Sequence, residues 1–478
     1  MQFGKVVSVE ISESSNQQAG TMQARSIAEN PCTMCMPMGG IIALKGIAGT
    51  MVILHGSQGC STYMRRHIAE HFDEPVDVGS SSLNEKGTIY GGSAQLKTAI
   101  ENIRKVYNPA VIGVLTTCLA ETTGEDVHRI VEEYCCERDA VWEMFITAPT
   151  PGYGGSHGDG YWYTLRCVVE QLVLPAEETK PHDGLNIIVP ITFSPADIRA
   201  MKQALTAMGV SYTIFPDISE TMDRPYTATY TKMPNGGTPI AEIRRMGGAR
   251  ATIEFGAPGE ERKFPGKYLE DTFGVPYYRI ASPIGLAQTD EFFALLKRVT
   301  GKSMAAETFA ERGRLMDAMV DGHKHAFAGR STLFGDADLT YALAGFTTEM
   351  GMYPRVIASD SRSRRWKEAV AAVTKENAEP VVIFGDTDFA TVRRESEAAG
   401  SNIALGHSDG KYLEEHSGIP LVRLGFPIHD RIGGQRICSV LYSGTNRLLD
   451  TCVNTLLERK YRTYRKRMYD EYFLPIRR

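Results

Sequence analysis

The sequence predicts an α/β protein of three doubly wound, Rossmann-like domains with parallel sheets. One observation is the repeated order of apolar run, glycine-containing turn and helical pattern, seen around residues 51–72, 109–134 and 185–210. Short apolar runs without polar alternation are typical of parallel strands that helices cover on both faces. The other observation is length, because a chain of 478 residues is too long for one core and is expected to form about three domains.

The first predicted domain covers residues 26–180 and follows an extended, Ser- and Gln-rich arm at 1–25. The runs MVILHGSQGC at 51–60 and PAVIGVLTTC at 109–118 predict strands that end in turns. The segments STYMRRHIAEHF and GEDVHRIVEEY, which come after them, show helical spacing. The polar, proline-containing segment 174–184 predicts a linker to the next domain.

The second and third predicted domains repeat this order at residues 181–328 and 329–478. LNIIVPIT predicts a buried strand, and the next segment predicts a helix with Ser194 at its cap and Pro195 at its first position. Further on, STLFGDADL and PVVIFGDTDF share a strand pattern followed by Phe-Gly-Asp-x-Asp, and SGIPLVRLGFPIHD adds another strand. A basic run at 458–478 predicts the solvated face of a terminal helix, with contact to a partner subunit as the alternative.

Composition excludes several classes of protein. The formal net charge is −5, from 52 Lys and Arg against 57 Asp and Glu, which argues against a nucleic-acid binder. The nine cysteines are an odd number, and the N-terminal segment MQFGKVVSVEISESS has neither the basic start nor the apolar core of a signal peptide. No run reaches the roughly 18 apolar residues of a membrane span. We therefore expect a cytoplasmic protein with neither nucleic acid nor membrane as partner.

Three cysteines are the strongest indication of chemistry. Cys35 in CMPMGG, Cys60 in HGSQGC and Cys118 in TTCLAE lie in turns of small residues, and the last two follow predicted strands. Ligands bind beyond the carboxyl ends of parallel strands, and helix N-termini favour thiolates. Three thiolates are one short of the four that an iron–sulfur cluster normally takes from protein. The pattern therefore indicates part of a cluster site, completed by another chain.

The other cysteines have a simpler interpretation. An isolated free cysteine is usually a small buried apolar residue, and we expect this of Cys135, Cys136, Cys167, Cys438 and Cys452. Cys32 and Cys35 form a C-x-x-C pair, which by itself suggests zinc or a thioredoxin-like motif. Neither is favoured, because no second such pair and no His pair follows at zinc spacing.

Nine segments of the chain together carry a family resemblance. In order they are CMPMGGIIALKGI, HGSQGCSTYMRRHIAEHFDEP, SSSLNEKGTIYGG, LTTCLAETTGED, TPGYGGSHGDGY, ERGRLMDAMVDGH, FGDADL, GHSDGKY and IPLVRLGFPIHDR. This set resembles the β-subunit of nitrogenase component 1, the molybdenum-iron protein and its vanadium and iron-only relatives. The resemblance extends from about residue 31 to beyond 440 and implies the fold of that family.

By this resemblance Cys35, Cys60 and Cys118 hold half of an 8Fe-7S P-cluster, and three cysteines of an α-type subunit hold the rest. The resemblance also implies an α2β2 heterotetramer, fed with electrons by an ATP-dependent iron–sulfur reductase component. Tyr63 matches a position between the P-cluster and the active-site cofactor, and Tyr90 matches one at the docking surface for the reductase. Both could equally be ordinary core or interface tyrosines.

The resemblance further suggests a cation between β-subunits. Asp317 and Asp321 are four residues apart, so both carboxylates lie on one side of a helix. In the family such residues help to hold a metal ion, and Glu74 lies in the matching partner segment. Two carboxylates on a solvated helix face are the alternative. The family has Arg-Glu before a proline, whereas Asp73 and Glu74 precede Pro75 here.

Other departures lie close to the predicted cluster. The family has an auxiliary serine ligand in a Thr-Pro-Ser-Phe turn, whereas this chain has Gly152 and Tyr153 after Thr-Pro. Gly152 offers no hydroxyl, so the Tyr153 phenolate is an alternative ligand. Cys32 is an additional cysteine. These differences indicate a divergent branch, for which we favour methylthio-alkane reductase, an enzyme that cleaves carbon–sulfur bonds.

The remaining alternatives concern the role of the chain. The family's active-site cofactor, FeMo-co-like or iron-only, is bound by a Cys and a His of the α-type subunit, and matching motifs are absent here. This subunit is therefore expected to relay electrons and to have no catalytic residue of its own. Its histidines are expected to be hydrogen-bonded packing residues rather than ligands, among them His55, His67, His71 and His157. Dinitrogen reduction, a cofactor-assembly scaffold and a receptor-type binding protein are the other interpretations.

Overall fold

A computed structural model of the chain describes residues 9–10, 34–138, 140–377, 381–385 and 387–473. The predicted arm at 1–25 lies outside this part of the chain apart from Val9 and Glu10, and Cys32 also lies outside it.

The strands of the described residues form three sheets. They are β1 (Val9–Glu10), β2 (Thr50–His55), β3 (Val78–Ser80), β4 (Val111–Thr116), β5 (Phe145–Ala148), β6 (Leu185–Ile188), β7 (Tyr212–Phe215), β8 (Ala251–Phe255), β9 (Tyr277–Ile280), β10 (Arg330–Gly335), β11 (Tyr353–Ser359), β12 (Val382–Gly385), β13 (Ile403–Gly406) and β14 (Leu421–Arg423). The sheet orders are β3-β2-β4-β5, β7-β6-β8-β9 and β1-β12-β11-β10-β13-β14.

Helices connect and cover these strands. They are α1 (Met36–Lys45), α2 (Gln58–Phe72), α3 (Glu85–Tyr90), α4 (Ser93–Tyr107), α5 (Cys118–Thr123), α6 (Val127–Arg138), α7 (His157–Leu172), α8 (Pro195–Ala207), α9 (Ile240–Arg244), α10 (Pro265–Phe273), α11 (Leu286–Thr300), α12 (Ala306–Ala326), α13 (Ala337–Glu349), α14 (Arg364–Val373), α15 (Phe389–Ala398), α16 (Lys411–Ser417) and α17 (Leu441–Tyr472). Among the described residues, no helix combines the length and the apolar character needed to cross a membrane.

The predicted α/β class with parallel sheets is confirmed. Every strand pair is parallel except β1 with β12, where two residues of the arm add an antiparallel strand to an open sheet edge. The strands β2 and β4 are buried along their whole length. Ile53 and Val114 pack in the cluster of α4 and α6, whereas Val52 and Leu115 pack in the cluster that includes α1. This alternation between two faces is what a doubly wound sheet requires.

The local prediction at the start of α8 is confirmed, whereas the domain boundary at residues 174–184 stays a prediction. The Ser194 hydroxyl accepts a hydrogen bond from the backbone N–H of Asp197 over 3.0 Å, and Pro195 occupies the first turn. Residues 174–184 contain neither helix nor strand. The basic C-terminal run lies on α17, where Tyr461, Tyr464 and Tyr469 are exposed. The described part of this run therefore has the solvated character predicted for it.

Close packing of α1 against α7 places the first cysteine. A Cβ atom on Gly39 would overlap the carbonyl oxygen of His157, and one on Gly160 would overlap that of Met36. Only glycine allows two helix backbones to approach so closely. Cys35, directly before α1, consequently forms an isolated antiparallel bridge with Ser156, directly before α7.

Candidate metal centre

The three cysteines lie at helix N-termini along one edge of the first sheet. Cys35 occupies the N-cap position of α1, Cys60 lies in the first turn of α2, and Cys118 begins α5. The strands β2 and β4 pair from Thr50 with Val111 to His55 with Thr116, so they end at the same level. The residues that follow these two strands therefore emerge side by side, as the sequence predicts.

Gly152, in the loop after β5, lies between two of the thiols. Its backbone N–H donates a hydrogen bond to Sγ of Cys118 over 3.1 Å. A Cβ atom built on Gly152 would be 3.2 Å from Sγ of Cys118 and 3.4 Å from Sγ of Cys35. Cys60 receives a longer contact of 3.9 Å from the Ser57 hydroxyl. Because Gly152 has no side chain, the space between the Cys118 and Cys35 sulfurs stays open.

The thiols are close enough to affect each other electrostatically, yet they are open to solvent. Burial, together with the neighbouring Cys118 and Cys60, raises the pKa of the Cys35 thiol. Cys35 and Cys118 are nevertheless exposed, and Cys60 is half-buried. The three sulfurs do not all come within 4.8 Å of one another, as ligands of a single metal ion would. The three thiols are therefore spaced too widely for one metal ion, and one side of the group is open.

The two tyrosines occupy different places around this edge. Tyr63 follows Cys60 by one turn of α2, is 46% exposed, and stacks edge-on against His67 with ring centroids 4.3 Å apart. Burial and the nearby Cys35 and Asp409 raise the pKa of its phenol. Tyr90 ends α3 and is 81% exposed. A surface tyrosine of this kind is available to a partner, whereas Tyr63 is partly enclosed next to the thiols.

Tyr153 is 63% exposed in the loop after β5. It follows Gly152, which contacts the Cys118 sulfur. The other predicted auxiliary residue, Cys32, lies outside the described residues.

The three predicted cation ligands do not come together within one described chain. Asp317 and Asp321 are exposed on α12. Glu74 instead accepts hydrogen bonds from Arg224, at 3.2 Å from the backbone N–H and 3.1 Å from Nε. A cation site formed by these residues would therefore depend on a second copy, and it stays a prediction.

Among the histidines, His55 and His71 are hydrogen-bonded and buried, as predicted. His55 contacts the Ser81 hydroxyl at 2.9 Å, and His71 accepts a hydrogen bond at Nδ1 from the Ile428 N–H at 2.8 Å. Burial lowers the pKa of His71 to about 3. His67 differs, because its Nδ1 is buried without a hydrogen-bond partner among the described residues.

His157 is buried and accepts a hydrogen bond at Nδ1 from the Met34 N–H over 3.4 Å, as predicted, and it also belongs to a group of potential metal ligands. Its Nδ1 lies 3.8 Å from Oδ2 of Asp360, and Asp336 completes a buried group of three potential ligands. No local pattern in the sequence indicates this group, because His157 lies about two hundred residues before the two aspartates. The one available signal was that Asp336 and Asp360 each directly follow a strand.

The described chain thus combines three α/β sheets with a group of three thiols at one sheet edge. A family model described as nitrogenase component 1 type oxidoreductase matches residues 35–457. The chain belongs to this family.

Relatives and solved structures agree with this assignment. The nitrogenase molybdenum-iron protein beta chain of Clostridium pasteurianum is 32% identical over 443 residues, which are 92% of this chain and 95% of the relative. The chain of the same description from Frankia alni is 34% identical over 443 residues, 91% and 83% of the two chains. The structure "Nitrogenase Cp1 at pH 6.5" superposes with a TM-score of 0.87 at 31% identity, covering 93% of this chain and 96% of the other.

Proposed function

We propose that this chain is the β-type subunit of a nitrogenase-like reductase and holds half of an 8Fe-7S P-cluster. Cys35, Cys60 and Cys118 would be its ligands, and an α-type subunit would supply the other three. The observation that carries this proposal is that three thiols lie near one another at one sheet edge, two of them beside Gly152, which has no side chain to fill the space between them.

The residues fit such a group in donor chemistry and in accessibility. Thiolate sulfur is the donor that iron–sulfur clusters take from proteins, and all three cysteines lie at helix N-termini that stabilise negative charge. The exposed Cys35 and Cys118 leave one side open for a second subunit. When bound, the cluster would supply one-electron transfer between the ATP-dependent iron–sulfur reductase and an iron–sulfur cofactor in the α-type partner.

The chain's own residues would position and tune this relay in an α2β2 assembly. The Gly152 N–H hydrogen bond to Cys118 places positive character next to a ligand sulfur, and hydrogen bonds to sulfur influence cluster potentials. Tyr63 lies on α2 one turn after Cys60, between the proposed cluster and the partner's cofactor in this assembly. The exposed Tyr90 would contact the reductase. The partner's cofactor would be FeMo-co-like or iron-only.

For the substrate we propose methylthio-alkanes, whose carbon–sulfur bond would be cleaved reductively. Support comes from the departures near the cluster: Gly152 replaces the family's auxiliary serine, and Cys32 is additional. Asp73, which replaces the family's arginine, is the left-handed C-cap of α2 with φ of 53°. Of these departures, Gly152 lies directly beside two of the proposed ligands, whereas Asp73 lies at the opposite end of α2 from Cys60.

Dinitrogen reduction is the second candidate, because the relatives named above are nitrogenase molybdenum-iron protein beta chains. A cofactor-assembly scaffold is disfavoured, since a scaffold needs no complete set of relay cysteines.

The test is a reconstitution with the α-type partner, the reductase component, ATP and a low-potential donor under anaerobic conditions. Dinitrogen, acetylene and ethyl methyl sulfide are offered separately, and ammonia, ethylene and methanethiol are measured. We expect methanethiol as the dominant product. Ammonia as the dominant product would contradict the proposed substrate, and no ATP-dependent reduction of any of the three would contradict the relay.

A further inference from the structure

A second candidate site lies in a cavity of about 590 Å³ whose wall extends from Gly152 and Tyr153, next to the cysteine edge, to the third sheet. Its wall includes Asp336 after β10, Asp360 after β11 and Ala257 after β8. Gly158, at the start of α7, forms another part of the wall. The carboxyl ends of strands from the second and third sheets thus face the same space. Such ends are where parallel-sheet proteins bind ligands.

Two carboxylates of this wall lie close to the buried imidazole of His157, which does not itself line the cavity. Potential ligand atoms of His157, Asp336 and Asp360 all lie within 4.8 Å of one another. A Cβ atom on Gly158 would overlap Oδ2 of Asp336 and would lie 3.3 Å from Oδ2 of Asp360. Both oxygens therefore point towards one small volume, which glycine leaves open.

Two atoms of this group have no partner in the described part of the chain. They are Oδ2 of Asp360 and Nε2 of His157, on residues that are 5% and 3% exposed. A buried polar atom without a hydrogen bond is costly and rare in native proteins. The nearest buried guanidinium, Arg279, forms its ion pairs with Glu254 and Asp338 instead.

The pKa values of the three side chains show that the carboxylates lack, among the described residues, a neighbouring positive charge that would stabilise their ionised form. Burial, followed by the proximity of Asp338 and Asp360, raises the pKa of Asp336 well above its usual value. Burial likewise raises the pKa of Asp360 to about 7. Burial lowers the pKa of His157 to about 4, so its imidazole is neutral and one of its two nitrogens has a lone pair that can bind metal.

We propose that His157, Asp336 and Asp360 bind one divalent cation at the wall of this cavity. One imidazole nitrogen and two carboxylate oxygens suit manganese, iron or zinc, and the remaining coordination positions would face the cavity. The site uses none of the cysteines and does not depend on the α-type partner. It therefore stands or falls independently of the P-cluster proposal.

Mn²⁺ is the probe of choice, because it prefers carboxylate and imidazole to the thiols of the cysteine edge. The full chain is purified with any subunit that accompanies it, treated with EDTA and titrated with MnCl₂. Free Mn²⁺ is followed by its EPR signal, and the melting temperature is recorded with and without metal. The variants are Asp336→Asn and Asp360→Asn. The matched control is Asp159→Asn, a carboxylate on the same cavity wall outside the group of three.

We expect the wild-type chain and the control Asp159→Asn to bind one Mn²⁺ at this site. Asp336→Asn and Asp360→Asn should lose this Mn²⁺ or bind it at least about tenfold more weakly. Mn²⁺ should raise the melting temperature of the wild-type chain and of the control only. Without metal, both variants should melt no lower than the wild-type chain, because each replaces a buried carboxyl group whose ionisation is unfavourable there. Equal Mn²⁺ binding by wild type and Asp360→Asn would overturn the proposal and would indicate that the two carboxyl groups share a proton.

Discussion

The backbone N–H of Gly152 hydrogen-bonds to Sγ of Cys118 over 3.1 Å, and the same glycine leaves its Cβ position empty between Cys118 and Cys35. This contact connects the loop after β5 to two of the three proposed cluster ligands. It is also the position at which the chain departs from the auxiliary serine of its family.

Restoring a hydroxyl at this position should change the oxidised cluster. In Gly152→Ser, an oxygen ligand would stabilise the oxidised state and lower the midpoint potential, by about 59 mV for a tenfold preference in a one-electron step. Gly152→Ala is the control, because it adds the same Cβ close to both sulfurs without a hydroxyl. Redox titration monitored by EPR measures the shift. Equal potentials in the serine and alanine variants would exclude the serine as a ligand.

Removing the exposed ring of Tyr90 should weaken docking of the reductase component. Interface aromatic residues often contribute more than about 1.4 kcal/mol, so Tyr90→Ala should raise the KM for the reductase about tenfold while the iron content stays unchanged. Tyr226→Ala is the control, since Tyr226 is 94% exposed and lies outside α3, in the segment after β7. If both variants behave alike in a titration with reductase, the docking role of Tyr90 is wrong.

The buried His71 should make the chain less stable in mild acid. Its pKa is about 3 in the folded chain, against an ordinary 6.5, because burial disfavours the charged ring. The unfolded chain therefore takes up this proton first as the pH falls below 6.5, which favours unfolding. Between pH 7 and 5 this amounts to about 2 kcal/mol of unfolding free energy.

The comparison is with His71→Asn, whose side chain can still accept the hydrogen bond from the Ile428 N–H but cannot titrate. Urea unfolding at the two pH values should show a larger loss for the wild-type chain than for this variant. The same pH dependence in both chains would assign the acid sensitivity to other groups.

Asp317 and Asp321 offer a test of the predicted cation between β-type subunits. The double variant Asp317→Asn, Asp321→Asn should release a metal ion from the α2β2 assembly without affecting cluster iron. Glu307→Gln on the same helix removes an exposed acid outside the pair and serves as control. Metal analysis by mass spectrometry after gel filtration measures the effect. An unchanged metal content would favour a merely solvated helix face.

Much of the cysteine site could be predicted from sequence, because its geometry follows from local order. Cys60 and Cys118 come after neighbouring parallel strands, and such strands end at a common edge. The N-cap at Ser194 was predictable for the same reason, since the residues that form it are adjacent.

The remaining features depend on contacts between distant segments. His157 begins a helix after the first sheet, whereas Asp336 and Asp360 follow strands of the third, so their meeting depends on how the sheets pack. Glu74 pairs with Arg224, which is 150 residues away. No periodicity or motif indicates such partners.

The most direct test of the proposed cluster is iron analysis with low-temperature EPR on the anaerobically purified assembly. Wild type is compared with Cys118→Ala and with Cys136→Ala, which removes a cysteine outside the site that is exposed and not buried as the sequence predicts. We predict that Cys118→Ala loses cluster iron and its oxidised-state signal, whereas Cys136→Ala keeps both. A Cys118→Ala assembly with full iron content and an unchanged signal, or a wild-type assembly without cluster iron, would contradict the account.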